Sequence, residues 1–273
     1  MTLPEPILSF WIASLRLQAA FRDTSWGAVV TDSRYPGVYE ANHGSVLRLA
    51  PTLTLEDIRA ELVPALEQAG ATHEHIEIMD ADDDSPALDE LLASPGEHHP
   101  DVVMVYEGKD SLRDQKPASS EVSDGIQVEE IVQGDDSFWQ LYRMVPNEYG
   151  ETLPDYVLDQ MLARVQDLFV PAGERFFVGT IQGAIAGVVS ALTLEGVAYV
   201  DNVVTLPQFR GRGVATAGVI QAASASQEAG AEAVFLLAEE GGAPQRLYER
   251  LGFVVRKRCY GFTRPLRGAT STG

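Results

Sequence analysis

Residues 205–219 read TLPQFRGRGVATAGV, and no other stretch constrains this chain as much. It follows VAYVDNVVT, a run of β-type residues, and leads into Ala-rich sequence of helical composition. Between strand and helix stand Arg210, Gly211, Arg212 and Gly213. Glycine has no Cβ, so the backbone can curl until successive N–H groups converge. Those donors join the unpaired amides of the new helix, where the dipole favours negative charge. Arg210 and Arg212 add side-chain donors suited to phosphate oxygens. The stretch reads as a pyrophosphate cradle; the plainer alternative is a glycine turn with solvated arginines.

Two other phosphate loops do not fit. The spacing GxxxxGK[ST] does not occur, and Thr216 stands where GxGxxG needs its third glycine. Leu206 and Pro207 also separate the strand from the loop, unlike a dinucleotide fingerprint. Nicotinamide and flavin binding are therefore set aside.

The 273 residues favour two domains. A polar, Gly-, Pro- and Ser-containing segment, EGKDSLRDQKPASSEVSDG, marks the break. The expected division is a domain over 1–107, a linker over 108–125, a second domain over 126–267 and a flexible tail over 268–273. The second domain reads as strand, two helices, three strands, helix, strand, helix, strand, which describes a mixed sheet flanked by helices. The first domain echoes its end. QAGATHEHIEIMDADDDSPALDELLASPG parallels EAGAEAVFLLAEEGGAPQRLYERLG: each has a helix end, a strand, an acidic loop, a Pro-started helix and a closing glycine. TLTLEDIRAELVPALEQAG, with a Thr54–Asp57 capping box, corresponds to the helix starting at Val214, but the loop before it contains no glycine. Two copies of one fold, one without its loop, is the economical reading.

Net charge is −20 and uneven, with 8 Lys and Arg against 23 Asp and Glu up to residue 125. Phosphate contacts need clustered cations, so nucleic acid is excluded as a partner. An acidic surface would attract a cationic acceptor, or simply keep the protein soluble. The chain has no uncharged apolar run long enough to span a membrane. A single cysteine, Cys259, and no secretory signal pattern at the N-terminus make the cytoplasm the expected compartment.

The loop resembles the acyl-CoA signature of the GNAT acetyltransferase superfamily, [RQ]-x-x-G-x-[GA], with Gln208, Gly211 and Gly213 at its fixed positions. RLYERLGF, Arg246 to Phe253, is similar to the family's C-terminal tyrosine motif. The resemblance covers about 126–266; for the first domain it is architectural, as of a degenerate second copy. It implies an α/β fold of the α+β kind: a mostly antiparallel mixed sheet flanked by helices, with a smaller related N-terminal domain. It also implies acetyl-CoA as cosubstrate, no metal, and direct attack of a small-molecule primary amine on the thioester. A homodimer is one expectation, since family members often dimerise. A non-catalytic CoA sensor on the same scaffold is the alternative.

By position, Val203 and Thr205, with Val204 between them, would pair with the pantetheine arm as a further strand would. Gln208, Phe209 and the amides of Arg210, Gly211, Arg212, Gly213, Val214 and Ala215 would surround the pyrophosphate. Tyr248 is the expected acid for the departing thiolate, and could instead merely bound the pocket. Asp201, Glu239 and Glu240 are base candidates, each equally readable as a solvated or capping carboxylate. Where the family often has an asparagine, seven residues before the tyrosine, this chain has Gly241.

All five histidines, 43, 73, 75, 98 and 99, precede residue 100. His73 and His75 on one strand face read as a polar, solvated face rather than a zinc site. The run DADDDS, 80–85, lacks the glycine and distal glutamate of a calcium loop. Cys259 reads as a small buried apolar residue.

Overall fold

The computed structural model describes residues 3–81, 85–108, 125–131, 134–149 and 153–266. Residues 109–124 of the expected linker, the tail 268–273 and Asp82–Asp84 of the acidic run lie outside the described residues. Two compact units divide the chain. One comprises Met1–Val103, Ala238–Gly241 and Val255–Gly273; the other comprises Met104–Leu237 and Gly242–Val254.

The first unit opens with α1 (Glu5–Leu15), β1 (Ala20–Asp23), β2 (Gly27–Thr31) and β3 (His43–Val46). It continues with α2 (Leu55–Ala69), β4 (His73–Ile78), α3 (Pro86–Leu92) and β5 (Glu97–Tyr106). β3 and β4 are parallel and joined through α2. Apolar residues recur along α2 at helical spacing, and Leu55, Ile58, Leu62 and Leu66 bury one stripe against Trp26, Val46, Ile76 and Ile78. The expected capping box is present, with Thr54 Oγ1 accepting from the Asp57 amide at 3.2 Å and Asp57 Oδ2 accepting from the Thr54 amide at 3.0 Å.

The second unit runs β6 (Ile126–Ile131), α4 (Asp136–Tyr142), α5 (Asp155–Arg164), β7 (Arg175–Ile181), β8 (Ala184–Leu194) and β9 (Val197–Thr205). Then follow α6 (Val214–Glu228), β10 (Ala233–Glu239, of which Ala238 and Glu239 fall in the first unit) and α7 (Ala243–Arg250). β6 to β9 form consecutive antiparallel pairs, and β10 pairs parallel to β9. The element order is the expected one. Asp135 caps α4, its Oδ1 accepting from the Phe138 amide at 2.9 Å. Helices cover both faces. On one, Phe138 and Tyr142 of α4 pack on Phe176, Val188 and Val204. On the other, α6 lies so close that a Cβ on Gly218 would come within 2.6 Å of Val189.

The final strand, β11 (Phe253–Pro265), departs from the expected second domain of 126–267. From Val255 onward it belongs to the first unit, where Tyr260–Pro265 pair antiparallel with Ile78–His73. The cause is side-chain burial: Tyr260 and Phe262 complete the cluster around Ile76 and Leu62. Lys257, only 2% exposed, also donates to Asp80 Oδ1 at 2.6 Å.

Candidate functional site

β9 is longer than its parallel ladder. Val197, Ala198 and Tyr199 pair with Ala233, Val234 and Phe235, and there the pairing stops, whereas β9 runs on to Thr205. On its other side β9 stays paired with β8 through Val204 and Thr205, opposite Val188 and Gly187. That second ladder slips register between Val188 and Ser190, and Asn202, opposite the slip, holds φ at +50°. A residue inserted into one strand bends it and increases its twist. The bulge thus falls where β9 leaves its β10 partner.

The predicted loop follows directly. Leu206 donates its amide to Ala186 O at 2.9 Å, and Pro207–Phe209 make one 3₁₀ turn. Gly211 and Gly213 have φ of +73° and +88°, the left-handed region in which a Cβ is penalised. Gly213 is the N-cap of α6, and no side chain caps that helix. Its first-turn amides therefore face the loop without a side-chain acceptor, beside Arg210 and Arg212. Val214 is buried beneath them, where a Cβ on Gly187 would meet Val214 Cγ1 at 2.9 Å and Val204 O at 2.4 Å. Helix start and strand end are held together there. Residues 203–215 thus form one continuous surface; the Val204 and Val214 side chains are core, so only their main-chain groups are presented.

Two predicted residues from distant elements come within electrostatic reach of each other: Asp201 on β9 and Tyr248 on α7. Tyr248 is 5% exposed, with its ring 6.1 Å from that of Phe253. Burial first, and then the negative charge of Asp201, raise its phenol above the usual range. A third acid, not anticipated from the sequence, completes the group. Glu174, just before β7, accepts a hydrogen bond from Ser190 and lies near Asp201 and Arg164. Burial, helped by the Asp201 charge, pushes its carboxyl up to about 8 against Ser190 and Arg164. The only local signal was an acid placed at the mouth of an apolar strand, in AGERFFVG.

Glu239 and Glu240 are not brought into this group. Both are exposed, both fall in the first unit, and the Glu240 amide donates to Pro100 O at 2.9 Å. Gly241 adopts φ +71°, a region that favours glycine and, after it, asparagine.

Of the histidine face expected to be solvated, His75 is instead buried and His73 is half-buried, and His43 of β3 lies beside His75. His43 and His75 are 3% and 4% exposed, and each places Nε2 3.3 Å from the Glu77 carboxylate. Burial alone would raise Glu77, but His43 and His75 hold it well below the ordinary carboxylate range. Among the described residues no group of three or more His, Cys, Asp or Glu could hold a metal ion. Cys259 is buried, as expected.

The corresponding place in the first unit is built differently. Its parallel ladder runs from Gly44–Ile76 to Val46–Ile78, the last residues of both strands, and Met79 then donates to Val46 O at 3.1 Å. The N-terminus of α2 holds its own acids: the Leu55 amide donates to Glu90 Oε2 at 2.9 Å, and Asp57 closes the capping box. Two of the first-turn donors that an anion would use, the Leu55 and Asp57 amides, are already taken.

Residues 137–253 match the family model described as Acetyltransferase (GNAT) family. No curated protein sequence matches the chain. Among solved structures, a conserved protein of unknown function from Staphylococcus epidermidis superposes with a TM-score of 0.68 at 16% identity, over 89% of this chain and 92% of that one. A GCN5-related N-acetyltransferase from Kribbella flavida gives 0.65 at 15% identity, over 97% of both chains. A tandem GNAT protein from the clavulanic acid biosynthesis pathway gives 0.54 at 17% identity, over 77% of this chain and 69% of that one. At these identities the likenesses describe the fold. From residue 137 to 253, then, this chain matches the GNAT acetyltransferase family.

Proposed function

We propose that the second unit binds acetyl-CoA along β9 and the 206–213 loop, and transfers the acetyl group to the primary amine of a small molecule. One observation supports this most: β9 outruns its β10 partner just before a left-handed glycine turn that opens α6 without a side-chain cap. Main-chain groups of Val203 and Thr205 take the pantetheine arm, and the amides of Arg210–Ala215 take the pyrophosphate. The first unit, with its cradle position filled by Glu90 and Asp57, contributes no second coenzyme site.

The amine attacks the thioester carbonyl directly, so catalysis draws on proximity and on proton transfer. Tyr248 stands protonated and donates to the sulfur as the C–S bond breaks. Its raised pKa makes complete early transfer unfavourable, and its contribution is a hydrogen bond that strengthens as negative charge builds on sulfur. The acceptor carries positive charge, which the net charge of −20 and Asp201 attract.

Calorimetry with coenzyme A, together with thiol release from acetyl-CoA in a panel of primary amines, tests the reading. Binding that weakens tenfold or more in Gly213→Val, and turnover that falls about 100-fold in Tyr248→Phe, are the expected results. Coenzyme binding with no amine consumed would assign the chain to non-catalytic sensing instead. No coenzyme binding would overturn both.

A further inference from the structure

Glu174 is held in place by its surroundings. Gly173 before it has φ +99°, and the Glu174 amide donates to Phe169 O at 2.9 Å. Ser190 on β8 bonds the carboxyl, and that hydroxyl accepts from Asn202 Nδ2 at 3.1 Å. Carboxylate oxygen Oε2 is sealed from solvent with no hydrogen-bond partner. A sealed carboxylate oxygen without a partner is costly to leave in a fold. Groups from three elements bear on it: Ser190 of β8, Asp201 of β9 and Arg164 at the end of α5. Asp201 in turn bears on Tyr248 of α7. Arg175, next in sequence, is engaged elsewhere, with Glu130 and Ala225 O.

We propose that Glu174 is the base of the transfer reaction, taking a proton from the acceptor's ammonium group while Asp201 holds that group beside it. The inference rests on the acetyl-transfer reading above. An N–H bond of the ammonium breaks, its electron pair stays on nitrogen, and the proton goes to the Glu174 carboxylate. The freed nitrogen forms the N–C bond, and the C–S bond breaks with its pair moving to sulfur. The nitrogen's second proton balances the one Tyr248 delivers to the thiolate. Glu174 then returns its proton to water. A carboxyl that titrates about 8 suits this work near neutral pH, because a base is most effective when its pKa lies close to the working pH.

Two measurements on the full chain test the assignment. Infrared titration of the unliganded protein should show a carboxylic-acid carbonyl band persisting at neutral pH, lost as pH rises through about 8 and missing in Glu174→Gln. With acetyl-CoA and the probe amines putrescine, tyramine and ethanolamine, Glu174→Gln should lose about 100-fold or more in kcat/KM. It should also lose the alkaline-rising limb of the pH profile while binding coenzyme A as tightly as before. Glu174→Asp, which keeps a carboxyl, should restore part of the rate. A wild type without the infrared band, or a Gln variant with full rate and an intact limb, overturns the base alone. A wild type that binds coenzyme A but acetylates none of the amines overturns the transfer reading, and the base with it.

Discussion

Asn202 donates from Nδ2 to Ser190 Oγ at 3.1 Å, across the point where β8 and β9 slip register. One side chain thus fixes both the bulge and the hydroxyl that bonds Glu174. Asn202 also tolerates its own φ of +50°, which most residues with a Cβ do not. Asn202→Ala should cost about 1–2 kcal/mol for the left-handed backbone and roughly 1 kcal/mol for the lost bond. Asn202→Gly should lose only the bond. Urea unfolding of both variants separates the two contributions, and a weaker coenzyme A affinity in the alanine variant alone would tie the bulge to the cradle.

Gly213 and Gly230 allow a controlled comparison, with φ of +88° and +100° respectively. Valine at either position strains the backbone by about 1–2 kcal/mol. Only at Gly213, where α6 opens, should the affinity for coenzyme A also fall, by tenfold or more. Equal affinities in the two variants would separate the loop from ligand binding.

The first unit should not take up coenzyme. In α2 the Leu55 amide already donates to Glu90 and the Asp57 amide to Thr54, so calorimetry should give one coenzyme A per chain. Glu90→Gln removes a charged acceptor at a helix N-terminus and should destabilise by about 0.5–2 kcal/mol, without raising the stoichiometry. A second binding event in that variant would mean that the carboxylate had been masking a functional site.

The glycine turn, the start of α6 and the place of Tyr248 on α7 were legible because their signals are local: glycine, arginine and a helix start within ten residues, and a tyrosine in a recognisable motif. Glu174 was not. Nothing in AGERFFVG shows that Ser190 and Asp201 will close around it, since that depends on the registers of β7, β8 and β9. The histidines failed for a related reason. HEHIE alternates as a solvated face would, and only the arrival of His43 from β3 and Thr263 from β11 buries it. The final strand shows the same limit, because strand propensity marks a strand without naming its partner.

That partner can be tested through one ion pair. Lys257 on β11 and Asp80, just beyond β4, meet at 2.6 Å with the lysine almost fully buried. Removing one member of a buried pair costs about 3–5 kcal/mol. Lys257→Met and Asp80→Asn should each lower the denaturation midpoint strongly, and the double variant should recover much of the loss. Additive losses in the double variant would show that the two side chains act independently.

Glu174 also sets a direction for stability against pH. Its folded carboxyl sits at about 8, above the roughly 4.3 of an unfolded glutamate. The folded state therefore holds a proton that the unfolded state has already released. Such a group's contribution is fully present below the unfolded value and is lost as pH rises through the folded one. Melting temperature should accordingly decline across this interval in the wild type. Glu174→Gln, which cannot ionise, should flatten that decline and be the more stable protein at the alkaline end. The kinetic cost expected of the same substitution would then coincide with a gain in stability, as when a strained group is retained for chemistry rather than for folding. A Gln variant that melts earlier than wild type at alkaline pH would place Glu174 among the supports of the fold.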